Sequence, residues 1–387
     1  MRRLTFALTS SLIAIPLTLA AQATRVRVDA KPILIVAATA EDGSVRFGSA
    51  AWATRLASGA IAVADPAEAN VRVIAAGGRS ARAVGQRGRG PGDYQLPLWI
   101  GRCAGDSIVV WDMMSARASI YSSGIEAGTV PRTWTVADLI NSMSAACSRT
   151  GAMAFIAPVR PLNDVPPIAS GDTPQGGQYA ITTMSARPRI VDAAGATRAE
   201  LPPMNFGEFV TGRLTSTSGF GYFPRPLGRS TSYAFVGERL VVASADSGDV
   251  VGYEVDGREA FRFRLPPAGR AVTPTDYKRA MGPAFAMVPG QIRERAVAFL
   301  TLVPAPTQAP PFWRVLGDPL GLIWLVVSPE GAPQTLLRTY TTAGVMVGEH
   351  TVPGTFSPFE VGRDYLLGRR ENEDGEQEIV VLRVTRN

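Results

Sequence analysis

One ten-residue pattern, strand then tight turn then strand, recurs along this chain and restricts its fold more than any other feature. Leu56 to Asp65 aligns without a gap with Cys103 to Asp112, 47 residues on. Phe235 to Ser244 is a third copy, and Val315 to Val327 is a looser fourth. A polar turn, a strand, a Gly-containing hairpin turn and a last strand follow each copy, as in Val250 to Val255, Asp256-Gly257 and Glu259 to Leu265. Short β-rich runs punctuated by Gly, Asp, Asn and Pro predict an all-β chain of many antiparallel strands.

A four-stranded unit repeated every 40 to 50 residues or so is the sequence pattern of a β-propeller, in which each blade buries its faces against its neighbours. Six blades are expected, near 49–92, 97–131, 141–203, 230–266, 311–353 and 356–386. The last supplies only three strands, so a strand from Pro32 to Ala37 or from Val45 to Phe47 should complete it and remove the open edge. Two insertions interrupt the repeat: a Pro/Gly/Asp-rich surface loop from Pro161 to Gly177, and one helix before blade five. Thr273-Pro274-Thr275-Asp276 starts that helix with a capping box and Pro at its first position.

Destination is also written in the chain. Arg2 and Arg3 precede an apolar stretch from Leu4 to Ala20 and then Ala21-Gln22-Ala23, the pattern of a secretory signal peptide over 1–23. The domain is expected to span 24–387, secreted or periplasmic, without a transmembrane segment and as a monomer. The formal charge of +6 falls to about +4 once Arg2 and Arg3 leave. Lysine occurs only at Lys31 and Lys278, and the 37 arginines are scattered instead of forming a stripe, so nucleic acid is not an expected partner.

Gly88-Arg89-Gly90-Pro91-Gly92-Asp93-Tyr94, then a strand, a Gly-Asp turn and Ile108 to Asp112, resembles the NHL-type six-bladed β-propeller family of secreted bacterial proteins. Trp313 to Asp318, Leu322 to Val326, Gly344 to Pro353 and Tyr365 to Gly368 are similar to the final two blades of that family. The resemblance implies the fold over nearly all of the mature chain and leaves the activity open.

Chemistry is sparse. Cys103 and Cys147 end the first strands of consecutive blades, where a disulfide is geometrically reasonable, with two buried thiols as the alternative. His350 is the only histidine, which excludes a multi-histidine zinc site, and it is expected to be exposed on an outer strand. Gly88 to Gly92 fits neither nucleotide-binding motif and reads as a turn between blades. Glu371 to Glu376 could hold calcium but sits where a solvated hairpin turn belongs. Asp65, Asp112 and Asp318 recur near turns, which argues for turn chemistry and against a unique active site. Gly219 to Pro226 reads as an aromatic and arginine-bearing loop. A ligand face is expected from Arg89, Tyr94, Tyr222 and Arg225.

No catalytic, metal or cofactor residues stand out. The functional expectation is a secreted, non-catalytic propeller binding a protein, peptide or glycan on one face. The alternative is a metal-dependent hydrolase or lyase of lactonase type. Its divalent cation, such as calcium, would be held by at least two carboxylates and an Asn in the central channel.

Overall fold

The computed structural model describes residues 25–386 apart from 123, 126–127, 137–138, 140–141, 159–178, 214–219, 267–269, 285–289 and 330. The signal segment at 1–23 and the loop at 161–177 therefore lie outside the described residues.

The chain opens on β1 (Val26–Ala37) and then lays down its sheets in order. Sheet one is β2 (Trp52–Arg55), β3 (Ile61–Asp65), β4 (Asn70–Ile74) and β5 (Ala81–Val84). Sheet two is β6 (Pro97–Arg102), β7 (Ile108–Asp112), β8 (Arg117–Tyr121) and β9 (Arg132–Thr135). Sheet three holds β10 (Ala145–Cys147), β11 (Met153–Pro158), β12 (Tyr179–Val191), β13 (Thr197–Glu200), β14 (Met204–Arg213) and β15 (Phe220–Pro224). Sheet four is β16 (Thr231–Val236), β17 (Arg239–Ser244), β18 (Asp249–Tyr253) and β19 (Glu259–Arg264), and the helices α1 (Pro274–Ala284) and α2 (Gly290–Leu300) follow it. Sheet five is β20 (Arg314–Gly317), β21 (Ile323–Val326), β22 (Gln334–Tyr340) and β23 (Met346–Pro353). Sheet six is β24 (Ser357–Val361), β25 (Tyr365–Glu371) and β26 (Gln377–Arg386), with β1 as its fourth strand.

These six antiparallel sheets of the described residues stand in a closed ring. The first strands β2, β6, β10, β16, β20 and β24 each touch the next, and β24 touches β2. Packing explains the ring. Each pair of neighbouring sheets shares one apolar cluster, from Val71, Tyr94 and Ile100 between sheets one and two to Val36, Ile61 and Leu367 between sheets six and one. A strand covered on both faces has no reason to alternate. Accordingly β3, β7 and β21 are buried along their whole length, whereas β19, at an outer edge, alternates between exposed and half-buried.

The closing strand is the Pro32 to Ala37 segment, and it is longer than expected because it begins at Val26. Leu34 pairs with Val381 and Val36 with Ile379, and the register shifts fall on either side of Pro32, which has no N–H to give to the ladder. Val45 makes only an isolated bridge to Thr39.

Sheet three departs from the expected unit. Its strand β12 bends from one partner to another, pairing β11 through Ala186 to Val191 and β14 through Tyr179 to Ala186. The segment expected as an aromatic loop is strand β15, paired with β14 from Phe209↔Pro224 to Arg213↔Phe220. Two helices, not one, pack on this hairpin, burying Phe299, Leu300 and Tyr277 against Val210 and Phe223. The capping box of α1 is formed: the Asp276 N–H donates to Thr273 Oγ1 at 3.1 Å, and the Thr273 N–H to Asp276 Oδ2 at 3.1 Å. No helix of the described residues is long and apolar enough to cross a membrane.

Candidate functional site: the central channel

The inner strands enclose a channel of about 1130 Å³ lined from all six sheets. Its wall is two-sided. Sheets five, six, one and two bring Arg314, Arg369, Arg55 and Arg102 to it, together with Glu360. Sheets three and four bring Ser144, Ala145, Ala146, Thr231, Ser232, Tyr233, Ala234 and Phe235, and Arg149 at an exposed rim position.

On the charged side the guanidinium groups lie on aromatic rings. Arg314 sits 5.1 Å from the Trp52 ring centroid, Arg369 5.9 Å from Phe359 and Arg55 4.9 Å from Tyr365, while Trp52 and Phe359 are themselves 5.4 Å apart. Such stacking desolvates a guanidinium at low cost because the ring face is electron-rich. Most of these arginines also bind backbone across sheet boundaries. Arg314 Nη1 donates to the Pro358 carbonyl at 3.0 Å and Arg369 Nη1 to the Ala50 carbonyl at 2.6 Å. Arg102 pairs with Asp106 at 2.5 Å, a carboxylate that is 64% exposed. The Arg55 guanidinium has no hydrogen-bond or ion-pair partner among the described residues and meets only the Tyr365 ring.

Glu360 is tied between sheets six and one. Its carboxylate accepts from the Thr54 hydroxyl, the Tyr365 phenol and the Arg55 backbone N–H. Burial pushes this carboxyl above the usual carboxylate range, against those bonds and against the charge of Arg102. Burial first, and then the charge of Glu360, push the Tyr365 phenol up as well.

On the other side the polar groups are spent on neighbouring strands. Tyr233 OH donates to the Ser144 carbonyl at 2.5 Å, and burial pushes this phenol up to about 12. Ser232 Oγ accepts from the Val315 N–H at 2.9 Å, stitching sheet four to sheet five. Cys103 and Cys147 are bonded through their sulfurs with Cα atoms 5.4 Å apart, joining the ends of β6 and β10 at one mouth.

Of the residues expected to form a ligand face, Tyr94 is not available to one. Arg89 is exposed, and its carbonyl accepts from Arg117 Nη1 at 2.8 Å. Tyr94 is fully buried between sheets one and two, its hydroxyl 2.7 Å from that of Tyr121, and so offers nothing to a ligand. Tyr222 pairs through its backbone with Thr211. Arg225 binds Glu208 at 2.8 Å and the Pro304 carbonyl at 3.0 Å, fastening the segment after α2 to sheet three. Arg89, Tyr94 and Arg225 all stand outside the channel wall.

His350 is a second correction. It is buried, with its ring 5.4 Å from Trp324 and Nε2 3.3 Å from Thr339 Oγ1, and burial pushes its pKa below the usual imidazole value. The cause is ring closure. Its strand β23 is the last of sheet five, but β1 of sheet six packs against it.

The recurring aspartates divide. Asp65 accepts from the Gly48 and Ser49 N–H groups at 2.7 and 3.0 Å, and Asp112 from those of Gln95 and Leu96 at the same distances, so both hold the approach to an inner strand. Asp318 lies elsewhere, in the β20–β21 turn, where it accepts from Trp324 Nε1 at 2.8 Å and pairs with Arg386 at 2.7 Å. Arg386 also donates to the Gly362 and Arg363 carbonyls of its own sheet, so its pair with Asp318 fixes the closing sheet to sheet five. In the acidic turn, Asn372 Oδ1 accepts from the Asp374 and Glu376 N–H groups, and Glu376 binds Thr39. Among the described residues no group of three or more His, Cys, Asp and Glu is placed to hold a metal ion.

Sequence reasoning passed over Arg55, Arg102, Glu360 and Tyr365. One signal was available: Arg55 and Arg102 hold the same place in the repeat, immediately before the turn that follows the first strand.

No family model and no curated protein matches the chain. Among solved structures, a member of the DUF4221 family from Bacteroides vulgatus is similar over 94% of this chain and 99% of that one, at 11% identity and TM-score 0.51. An exported protein from Bacteroides fragilis is similar over 94% and 95%, at 12% identity and TM-score 0.49. A gluconolactonase from Xanthomonas campestris is similar over 92% and 97%, at 12% identity and TM-score 0.41. At such identities the likeness is one of fold, and the fold is that of a β-propeller.

Proposed function

We propose that this protein is an exported, monomeric, six-bladed propeller of NHL type that binds a protein, peptide or glycan at the mouth of its central channel without catalysis. The two-sided wall carries this reading. A lactonase-type site would need at least two carboxylates and an asparagine converging on one cation. The carboxylates that line this wall are Glu360, already taken by Thr54 and Tyr365, Asp318, held by Trp324 and Arg386, and Asp364, exposed at the rim, and no asparagine lines it among the described residues. Arginines on aromatic faces beside an apolar wall suit recognition, since they combine charge with an amphipathic surface.

The test pairs turnover with binding. The purified protein, with calcium or after chelation, is expected to leave lactones intact. A thermal-shift screen of peptides, oligosaccharides and small acids is expected to return stabilising ligands whose effect disappears in Ala234→Trp, which puts an indole on the channel wall and narrows it. Lactone hydrolysis that chelation abolishes would overturn the non-catalytic reading.

A further inference from the structure

Six arginines of the described residues line the channel, and Arg149 and Arg363 stand exposed at its rim. Of the four set deeper, three bind a backbone carbonyl or a rim carboxylate, while Arg55 rests on Tyr365 with its guanidinium donors unused among the described residues. A guanidinium is planar, permanently charged and forked, so its unmet partner is an oxyanion that can accept two parallel hydrogen bonds.

Its neighbours strengthen the assignment. Arg102, at the same repeat position on the next sheet, is close enough for its charge to act on both Glu360 and Tyr365, and Arg55 acts on Tyr365 as well. Three sheets therefore converge on one spot. Arg102 is shared between Glu360, on which its charge acts, and Asp106, an exposed carboxylate whose pairing is weak, whereas the Arg55 guanidinium has no carboxylate partner among the described residues. The unmatched positive charge of the spot is that of Arg55. Across from it the wall is apolar or hydrogen-bonded to itself, with Met143 beside sheet three and Tyr233 and Ala234 of sheet four offering surface to a hydrocarbon body.

We propose that Arg55 and Arg102 form an oxyanion site for an organic acid, a single carboxylate or phosphate head carried on an apolar body that lies along the uncharged half of the channel. The proposal rests on the channel reading above and adds the ligand's charge and polarity. A volume of about 1130 Å³ accommodates such a molecule, since ligand pockets commonly measure about 300–1,000 Å³.

Isothermal titration of the purified protein would use N-acetyl-phenylalanine, its uncharged amide, and phenyl phosphate. At least one acid is expected to bind at least tenfold more tightly than the amide, and the tighter acid names the head group. Arg55→Met keeps an unbranched apolar side chain over Tyr365 and removes the charge. It is expected to lose that advantage with the melting temperature unchanged, and Arg55→Lys to recover only part of it. Amide binding equal to the acids, no binding of either acid, or acid binding indifferent to Arg55→Met would overturn the oxyanion site. In the last case, loss of binding in Ala234→Trp would leave the channel reading standing, whereas binding that survives Ala234→Trp would remove the channel reading too.

Discussion

The two halves of the channel wall are built on the same inner-strand positions and put them to different uses. In sheets three and four the polar atoms are closed on each other: Tyr233 on the Ser144 carbonyl, Ser232 on the Val315 N–H. In sheets five, six, one and two the polar atoms are charged, stacked on rings and, at Arg55, left open to the channel. A ring of near-equivalent sheets therefore does not imply a wall of equivalent chemistry. The fold's packing is met by an apolar cluster at each interface, to which the inner strands lend only some side chains, such as Trp99, Ala145 and Leu316, and this leaves their other positions free to differ.

The largest effect should come where the halves are joined. The Cys103–Cys147 bond links sheet two to sheet three across 44 residues of chain. A loop of that length gives the cross-link a worth of about 4 kcal/mol in the chain-entropy account. Urea unfolding of Cys103→Ala/Cys147→Ala should show that loss. A loss below about 1 kcal/mol would mean that apolar packing alone holds the halves in register.

Next in size is Glu360→Ala. It strands the Thr54 hydroxyl and the Tyr365 phenol in a half-buried wall and leaves Arg102 with less compensation, a cost of about 3 kcal/mol. Ser232→Ala on the opposite half removes one neutral acceptor and should cost about 1 kcal/mol. Equal losses by chemical denaturation would erase the distinction between the halves.

Sequence legibility followed burial. The runs Ile61 to Asp65, Ile108 to Asp112 and Ile323 to Val326 were readable as strands because neighbours cover both their faces, so every position favours an apolar residue. The closing strand was readable because sheet six would otherwise lack a partner for β26. Sheet three was not, because Gly221 and Pro224 imitate loop punctuation inside β15, and because β12 serves two partners at once. The site was hardest. Arginine supplies nearly all the positive charge of this chain, so Arg55 and Arg102 carried no compositional contrast, and only ring closure sets Glu360 and Tyr365 beside them. Tyr94 and His350 were misplaced for one reason: positions that look peripheral within a single sheet are covered by the next sheet round the ring.

Two titrations should separate further regions of the ring, with opposite signs. The folded-state pKa of Glu360 is raised, so its contribution to stability is complete below the unfolded value near 4.5 and is lost as pH rises through the raised one. That of His350 is lowered, so its contribution is complete above the unfolded value near 6.5 and is lost as pH falls through the lowered one. Unfolding free energy measured from pH 4 to 8 should therefore rise more steeply with pH once Glu360→Gln removes its opposing slope. It should rise less steeply in His350→Phe. An unchanged profile in His350→Phe would show that the imidazole is solvated despite its place beside Trp324.

The smallest effect concerns a device that both halves share. The turn after the second strand places a left-handed residue fifth in line: Ala69 at φ 51° in sheet one, Ala116 at φ 45° in sheet two, and Gly248 at φ 75° in sheet four. An L-residue there costs about 1–2 kcal/mol relative to glycine. Replacing it by glycine returns that strain but gives up a buried methyl, about 0.8 kcal/mol, and adds unfolded-state entropy of about 0.4–1 kcal/mol. The terms nearly cancel, so Ala69→Gly and Ala116→Gly should each shift stability by no more than about 0.5 kcal/mol. Gly248→Ala runs against both conformation and space, since its Cβ would come within 3.2 Å of the Leu265 carbonyl, and the loss should exceed the gain or loss at either alanine. Calorimetry of the three variants would compare the turns directly. A large stabilisation in Ala69→Gly would show that sheets one and two hold real strain in this turn, and that the charged half of the ring is the less relaxed one.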